Sequence, residues 1–218
     1  MATIITASEA AAMAPDGSTV MFGGFMGCGN PFTIVDAILK HGNKELTMIS
    51  NDCALPDVGI GKLVVAKRIK KAIASHVGLN PAVAEQMNQG TLEMELVPQG
   101  TLIERIRTGG AGLGGFFTST GVGTPVEIGK EKITLNGKTY LIELPLLADV
   151  AFIKAWKADE AGNLIFRRAA RNFNPIIAMA AKLAIAEAEI IVPTGSIDPD
   201  HIHTPAIFID HLVQSQEG

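Results

Sequence analysis

A rhythm constrains this chain more than any other feature. Short apolar segments at 19–22, 46–50, 69–75 and 92–97 alternate with helical stretches at 31–40, 81–89 and 101–107. Apolar runs too short for helices, spaced by helix-length segments, read as buried parallel strands joined by crossover helices. The predicted fold class is α/β, a mostly parallel sheet flanked by helices. In such sheets ligands gather at the carboxyl ends of the strands. The loops at 23–30, 51–56, 76–81 and 98–100 should therefore share one edge.

The first of these loops is the richest in chemistry. Strand 19–22 runs into Gly23, Gly24, Gly27 and Gly29, and a helix then opens with Asn30 read as N-cap and Pro31 at the first helical position. Glycine lets backbone N–H groups approach a ligand with no Cβ in the way. A helix N-terminus carries free N–H groups and about half a positive charge. The combination predicts a site for an anionic or carbonyl-bearing group; a tight strand-to-helix turn is the plainer alternative.

Composition removes several classes. The 218 residues carry a net charge of −4, which argues against a general nucleic-acid or anionic-membrane surface. Hydrophobic residues at 47% supply a sizeable core, built from aliphatic side chains because aromatics are only 5%. Cys28 and Cys53 form no metal or disulfide pattern, in keeping with a reducing, cytoplasmic setting. Residues 17–35 are uncharged over a near membrane-spanning length, except that five glycines and a proline interrupt them. Thr6 and Glu9 have capping-box spacing, so the N-terminus reads as a helix start rather than a signal segment.

The second half departs from the rhythm. Residues 109–125 hold seven glycines in seventeen, which no ordinary helix or strand accommodates. Segments 132–135 and 138–143 flank Asn136-Gly137, the signature of a type I′ hairpin. Residues 150–156 read as a buried strand, 161–163 as a turn, 175–183 as a helix, 188–192 as a strand and 205–212 as mixed. The expected organisation is one domain over 1–218, with a glycine-rich and antiparallel insertion at about 109–143.

Few residues offer catalytic chemistry. Asn51 and Gln99 each follow a strand on the expected ligand edge. Their neutral amides can donate to a developing oxyanion, although turn capping would also use them. Asp52 is a possible acid, base or turn residue. Gly110, Gly112 and Gly115 satisfy G-x-G-x-x-G in form, but a dinucleotide fingerprint must follow a strand and open a helix. His201 and His203 are two apart without further ligands, so no metal site is predicted; His76 follows a strand and is equally a loop histidine. No Ser-His-Asp or Cys-His arrangement is present, and nothing near Cys28 would activate it. The expected site has donors and no nucleophile.

These residues resemble a known family. The run Gly23-Gly24-Phe25-Met26-Gly27-Cys28-Gly29-Asn30-Pro31 is similar to the coenzyme A motif of the alpha subunits of class I coenzyme A transferases of the 3-oxoacid or acetoacetate type. Matching runs at 98–102, 107–112, 118–124, 154–159 and 170–174 extend the likeness over nearly the whole chain. The resemblance implies the NagB/RpiA/CoA-transferase type of α/β fold. It implies transfer of coenzyme A between an acyl-CoA and a short carboxylate, a 3-oxoacid or else acetate or butyrate. It further implies ping-pong chemistry through a glutamate on a beta subunit, an α2β2 heterotetramer, and coenzyme A as a substrate rather than a permanently bound cofactor. That glutamate lies in a Ser-Glu-Asn-Gly setting, and no Glu here precedes an Asn. The implied catalytic nucleophile is thus absent from this chain. Gly23, Gly24, Phe25, Gly27, Gly29 and Pro31 are implied to bind CoA or the acyl group, and Asn51 and Gln99 to position substrate or intermediate. A sugar-phosphate isomerase of similar architecture, with Asp52 or Asp57 as acid–base group, is the rival expectation.

Overall fold

The structure, a computed structural model, describes residues 1–216. The first half follows the expected rhythm. Strand β1 (Thr3–Ile5) leads to α1 (Ala7–Ala12), whose N-terminus carries the Thr6–Glu9 capping box. Then come β2 (Thr19–Phe22), α2 (Phe32–His41), β3 (Leu46–Ile49), α3 (Gly61–Val65), β4 (Ile69–Ala74), α4 (Pro81–Asn88), β5 (Glu93–Leu96) and α5 (Gln99–Gly110). Antiparallel β6 (Phe116–Thr118), β7 (Lys132–Leu135) and β8 (Lys138–Glu143) form a small separate sheet, ordered β6-β8-β7. Asn136 and Gly137 both adopt positive φ (50° and 75°), as a type I′ turn requires. The chain closes with β9 (Ala148–Asp159), β10 (Leu164–Ile165), α6 (Asn174–Ile177), β11 (Ala181–Val192) and β12 (His211–Gln214).

The main sheet runs β1-β12-β11-β9-β2-β3-β4-β5 with every pair on that path parallel; β10 alone is antiparallel, against β9. Strand alternation sends successive side chains into two cores. Val20, Phe22, Met48 and Phe152 face one, under α1 to α4; Met21, Ile49, Ala151 and Ile153 face the other, with Leu102, Ile106 and Ile177 of α5 and α6.

Three local expectations fail for tertiary reasons. The predicted helix at 175–183 is one short turn, α6, followed by the twelve-residue β11. Its alanines and isoleucines pair with β9 from Ala181 to Val192, and small side chains pack equally well on either face. The glycines at 109–110 do continue a helix: a Cβ at either would press on Leu146 or Met179, so close packing and not disorder explains them. Asn30 does not cap α2. The cap position falls on Pro31, and the Asn30 amide instead donates to Gly23 O at 2.6 Å.

Candidate active site at the carboxyl edge of the sheet

The four predicted loops meet. Beyond β3, Asn51 accepts at its backbone carbonyl from Ser75 N–H (2.9 Å) after β4, and Asp52 bridges to His76. Gln99, first residue of α5, donates from Nε2 to Asn51 Oδ1 at 2.6 Å. The two amides singled out by position are therefore in direct contact, but they differ in reach. Asn51 is buried, its Nδ2 donating to Asp52 Oδ2 at 2.7 Å and its Oδ1 also accepting from Ser75 Oγ at 3.1 Å. Gln99 is exposed and remains able to present an oxygen and an N–H outward.

The glycine loop crosses the same edge. Phe25 and Cys28 exchange backbone hydrogen bonds (3.0 and 2.9 Å) around Met26 and Gly27, both at positive φ, making a tight two-residue turn. Met26 N–H donates to Asp52 Oδ2 at 2.8 Å. On the opposite flank, Asn172 Nδ2 donates to Cys28 O (3.0 Å) and Asn174 Nδ2 to Gly29 O (3.0 Å). The Asn174 Oδ1 takes the Lys154 N–H of β9 at 3.0 Å. The loop is thus a fixed ledge, with Phe25 and Met26 exposed at its tip.

The positive end of α2 is already occupied. Glu187 Oε2, fully buried, accepts from Ile34 N–H at 3.1 Å, while its Oε1 pairs with Lys154 Nζ and Ser215 Oγ, each at 2.8 Å. A carboxylate belonging to the protein fills the place expected for an external anion at that helix end. Cations gather elsewhere. A cavity of about 390 Å³ beside the loop is lined by Cys28, Gly29, Phe32, Trp156, Arg167 and Arg168, and the Arg167 guanidinium lies 5.6 Å from the Trp156 ring centre. The net charge conceals this local patch, whose sequence signal is the run Arg167-Arg168 with Arg171 close behind.

Other candidates resolve into structural roles. Asp52 receives Ala54 N–H at Oδ1 (2.8 Å) besides its two donors at Oδ2, so both oxygens are engaged. Burial, with the charge of Asp52 adding, pushes the Cys53 thiol up to about 12. His203 Nδ1 accepts from Phe166 N–H at 2.9 Å, and burial, with Arg171 and His201 adding, holds its ring below the usual imidazole range. Gly110 ends α5, and Gly112 and Gly115 lead from it into β6, the reverse of a dinucleotide turn. Among the described residues no three His, Cys, Asp or Glu side chains are grouped to hold a metal, and no helix is long and apolar enough to cross a membrane.

Comparison with known proteins agrees with this architecture. Residues 4–215 match the family model described as Coenzyme A transferase. The chain is 53% identical over 215 residues to the alpha subunit of the acetate CoA-transferase of Escherichia coli K12, covering 99% of this chain and 98% of that protein. It is 55% identical to the corresponding subunit of the probable succinyl-CoA:3-ketoacid coenzyme A transferase of Bacillus subtilis, covering 98% and 90%. An acyl-CoA transferase from Escherichia coli O157:H7, solved as a thioester complex with CoA, superposes with a TM-score of 0.87 at 22% identity; all of this chain matches 48% of that one, about half its length. This chain belongs to the coenzyme A transferase family.

Proposed function

We propose that this chain is the alpha subunit of a transferase that moves coenzyme A between an acyl-CoA, succinyl-CoA or acetyl-CoA, and a 3-oxoacid such as acetoacetate. The observation that carries this reading is a preassembled amide pair beside a rigid glycine ledge, in a chain of this family. A partner subunit supplies the glutamate. Its carboxylate attacks the thioester, giving an acyl-glutamyl anhydride and CoA thiolate; the thiolate then forms a glutamyl thioester, and the acceptor carboxylate reverses the steps. Gln99, oriented by Asn51, donates to the oxyanion of the tetrahedral intermediate, a contribution of about 3 kcal/mol for one such donor. Phe25, exposed at the loop tip, and Gly29 form the wall against which the acyl or pantetheine end lies, while the buried Gly23, Gly24, Gly27 and Pro31 hold that wall in shape.

The whole chain acts as one alpha-subunit domain in a cytoplasmic α2β2 assembly. Acetate or butyrate as acceptor is the second reading, favoured by the acetate-named relative. An isomerase role is disfavoured because the Asp52 oxygens already hold three protein donors. The test is co-expression with a glutamate-bearing beta subunit, followed by assay of CoA exchange from succinyl-CoA or acetyl-CoA to acetoacetate, acetate and butyrate. Exchange by the complex and none by this chain alone is expected; turnover by the chain alone overturns the reading.

A further inference from the structure

We propose that Asp52 is a positioning residue that locks the tip of the glycine loop and the Asn51–Gln99 amide pair to one another. It lies 3% exposed between them. Its Oδ2 takes Met26 N–H from the loop and Asn51 Nδ2 from the amide pair, and its Oδ1 takes Ala54 N–H. An ionised carboxylate only accepts. Asn51 must therefore turn its N–H₂ towards Asp52 and its oxygen towards Gln99 and Ser75. That choice makes Gln99 Nε2 a donor to Asn51 and fixes which groups of Gln99 stay available to a substrate.

The backbone carries a second, independent sign. Met26 (φ 49°) and Ala54 (φ 48°) are non-glycine residues in the left-handed region, and both donate their N–H to this one carboxylate. Such conformations are strained for residues with a Cβ and persist where the surroundings over-determine them. The surrounding group common to both is Asp52. A side-chain amide at this position would aim its N–H₂ either at Ala54 N–H, leaving a neutral oxygen as a weaker acceptor for Met26 and Asn51, or at the Oδ2 side, releasing both of them. The Asp52 carboxylate touches no reacting atom and works through Met26 and Asn51.

This inference rests on the transferase reading, and its test separates the two. In the complex with the beta subunit, Asp52→Asn and Asp52→Glu, the latter keeping the charge but displacing it, are compared with Gln99→Ala and with the Asp52→Asn/Gln99→Ala pair. The expected result is a fall in kcat of about tenfold or more for each single variant with KM for the acyl-CoA within about threefold, the pattern of a lost transition-state contact. In the double variant the Gln99 change should cost less than about threefold, because its orientation is already gone. Hydrogen exchange of the free chain, which needs no activity, should show the Met26 amide losing protection in Asp52→Asn. Multiplicative losses in the double variant, or unchanged kcat and unchanged Met26 exchange, overturn the proposal. A harmless Gln99→Ala with faster Met26 exchange overturns the reading of the amide pair, and with it the kinetic half of this proposal, while upholding the tie between Asp52 and the loop.

Discussion

Gly23 leaves β2 with φ outside the left-handed region, yet no side chain fits there. An added Cβ would overlap Asn174 Oδ1, and that amide cannot retreat, since it also accepts from Lys154 N–H and donates to the Gly29 and Ala170 carbonyls. Gly23→Ala should therefore cost about 1–3 kcal/mol by overpacking and loosen the ledge, read as a lowered denaturation midpoint together with reduced exchange activity of the complex. Unchanged stability would show that the loop has slack the packing does not suggest. At this scale the glycines were legible in the sequence because their spacing and the Pro after them are local signals. The reason for Gly23 was not, because its obstacle lies 151 positions along the chain. Asn51 and Gln99 were legible as edge residues from strand counting. Asp52 as their lock was not, since acid, base and turn roles leave the same letter in a sequence.

Elements were readable where periodicity was local and were misread where pairing decided the outcome. The four-strand rhythm of the first half and the Asn136-Gly137 hairpin come from side-chain alternation and turn chemistry. β11 is alanine-rich and reads as helix at its start until β9 claims it by parallel pairing from Ala181 to Val192. The same pairing sets Lys154 opposite Glu187 in register, and Glu187 then reaches Ile34 at the first turn of α2. One strand thereby anchors the helix that the glycine loop opens. Glu187→Gln should lower stability by about 3 kcal/mol, because the Lys154 ammonium loses this carboxylate at 2.8 Å and the first turn of α2 loses it too. Adding Lys154→Met should recover part of that loss by removing the ammonium as well. Denaturant titration of both variants gives the answer; losses that simply add would mean that the pair contributes nothing as a pair.

The whole molecule combines a continuous parallel sheet with groups whose protonation folding has altered, and their signs set its pH limits. Burial opposes ionisation of Asp159 and Glu95, but hydrogen bonds from Asn163 and Arg105 outweigh it and hold both carboxyls below their usual range; Lys182 does the same for Asp149. A carboxyl lowered on folding contributes stability above its unfolded value, 3.8 for aspartate or 4.5 for glutamate, and loses it as pH falls through the folded value. His203, held below 6.5, adds to the same acid limb, since the unfolded ring binds a proton that the folded ring resists. Cys53 governs the other side: raised from 9.0 to about 12, its thiol stays neutral when folded and ionises when unfolded, so stability declines as pH climbs from 9. Lys71, raised above 10.5 by its bond to Glu93, loses its contribution at still higher pH. The melting temperature should be level between about pH 7 and 9 and fall on both sides. Asp159→Asn should be less stable than the parent at neutral pH yet show a shallower acid limb, and Cys53→Ala a shallower alkaline one. A melting temperature of the parent chain that stays level between pH 9 and 11, or an alkaline limb unchanged in Cys53→Ala, would mean that the Cys53 thiol ionises in the folded chain as it does in the unfolded one.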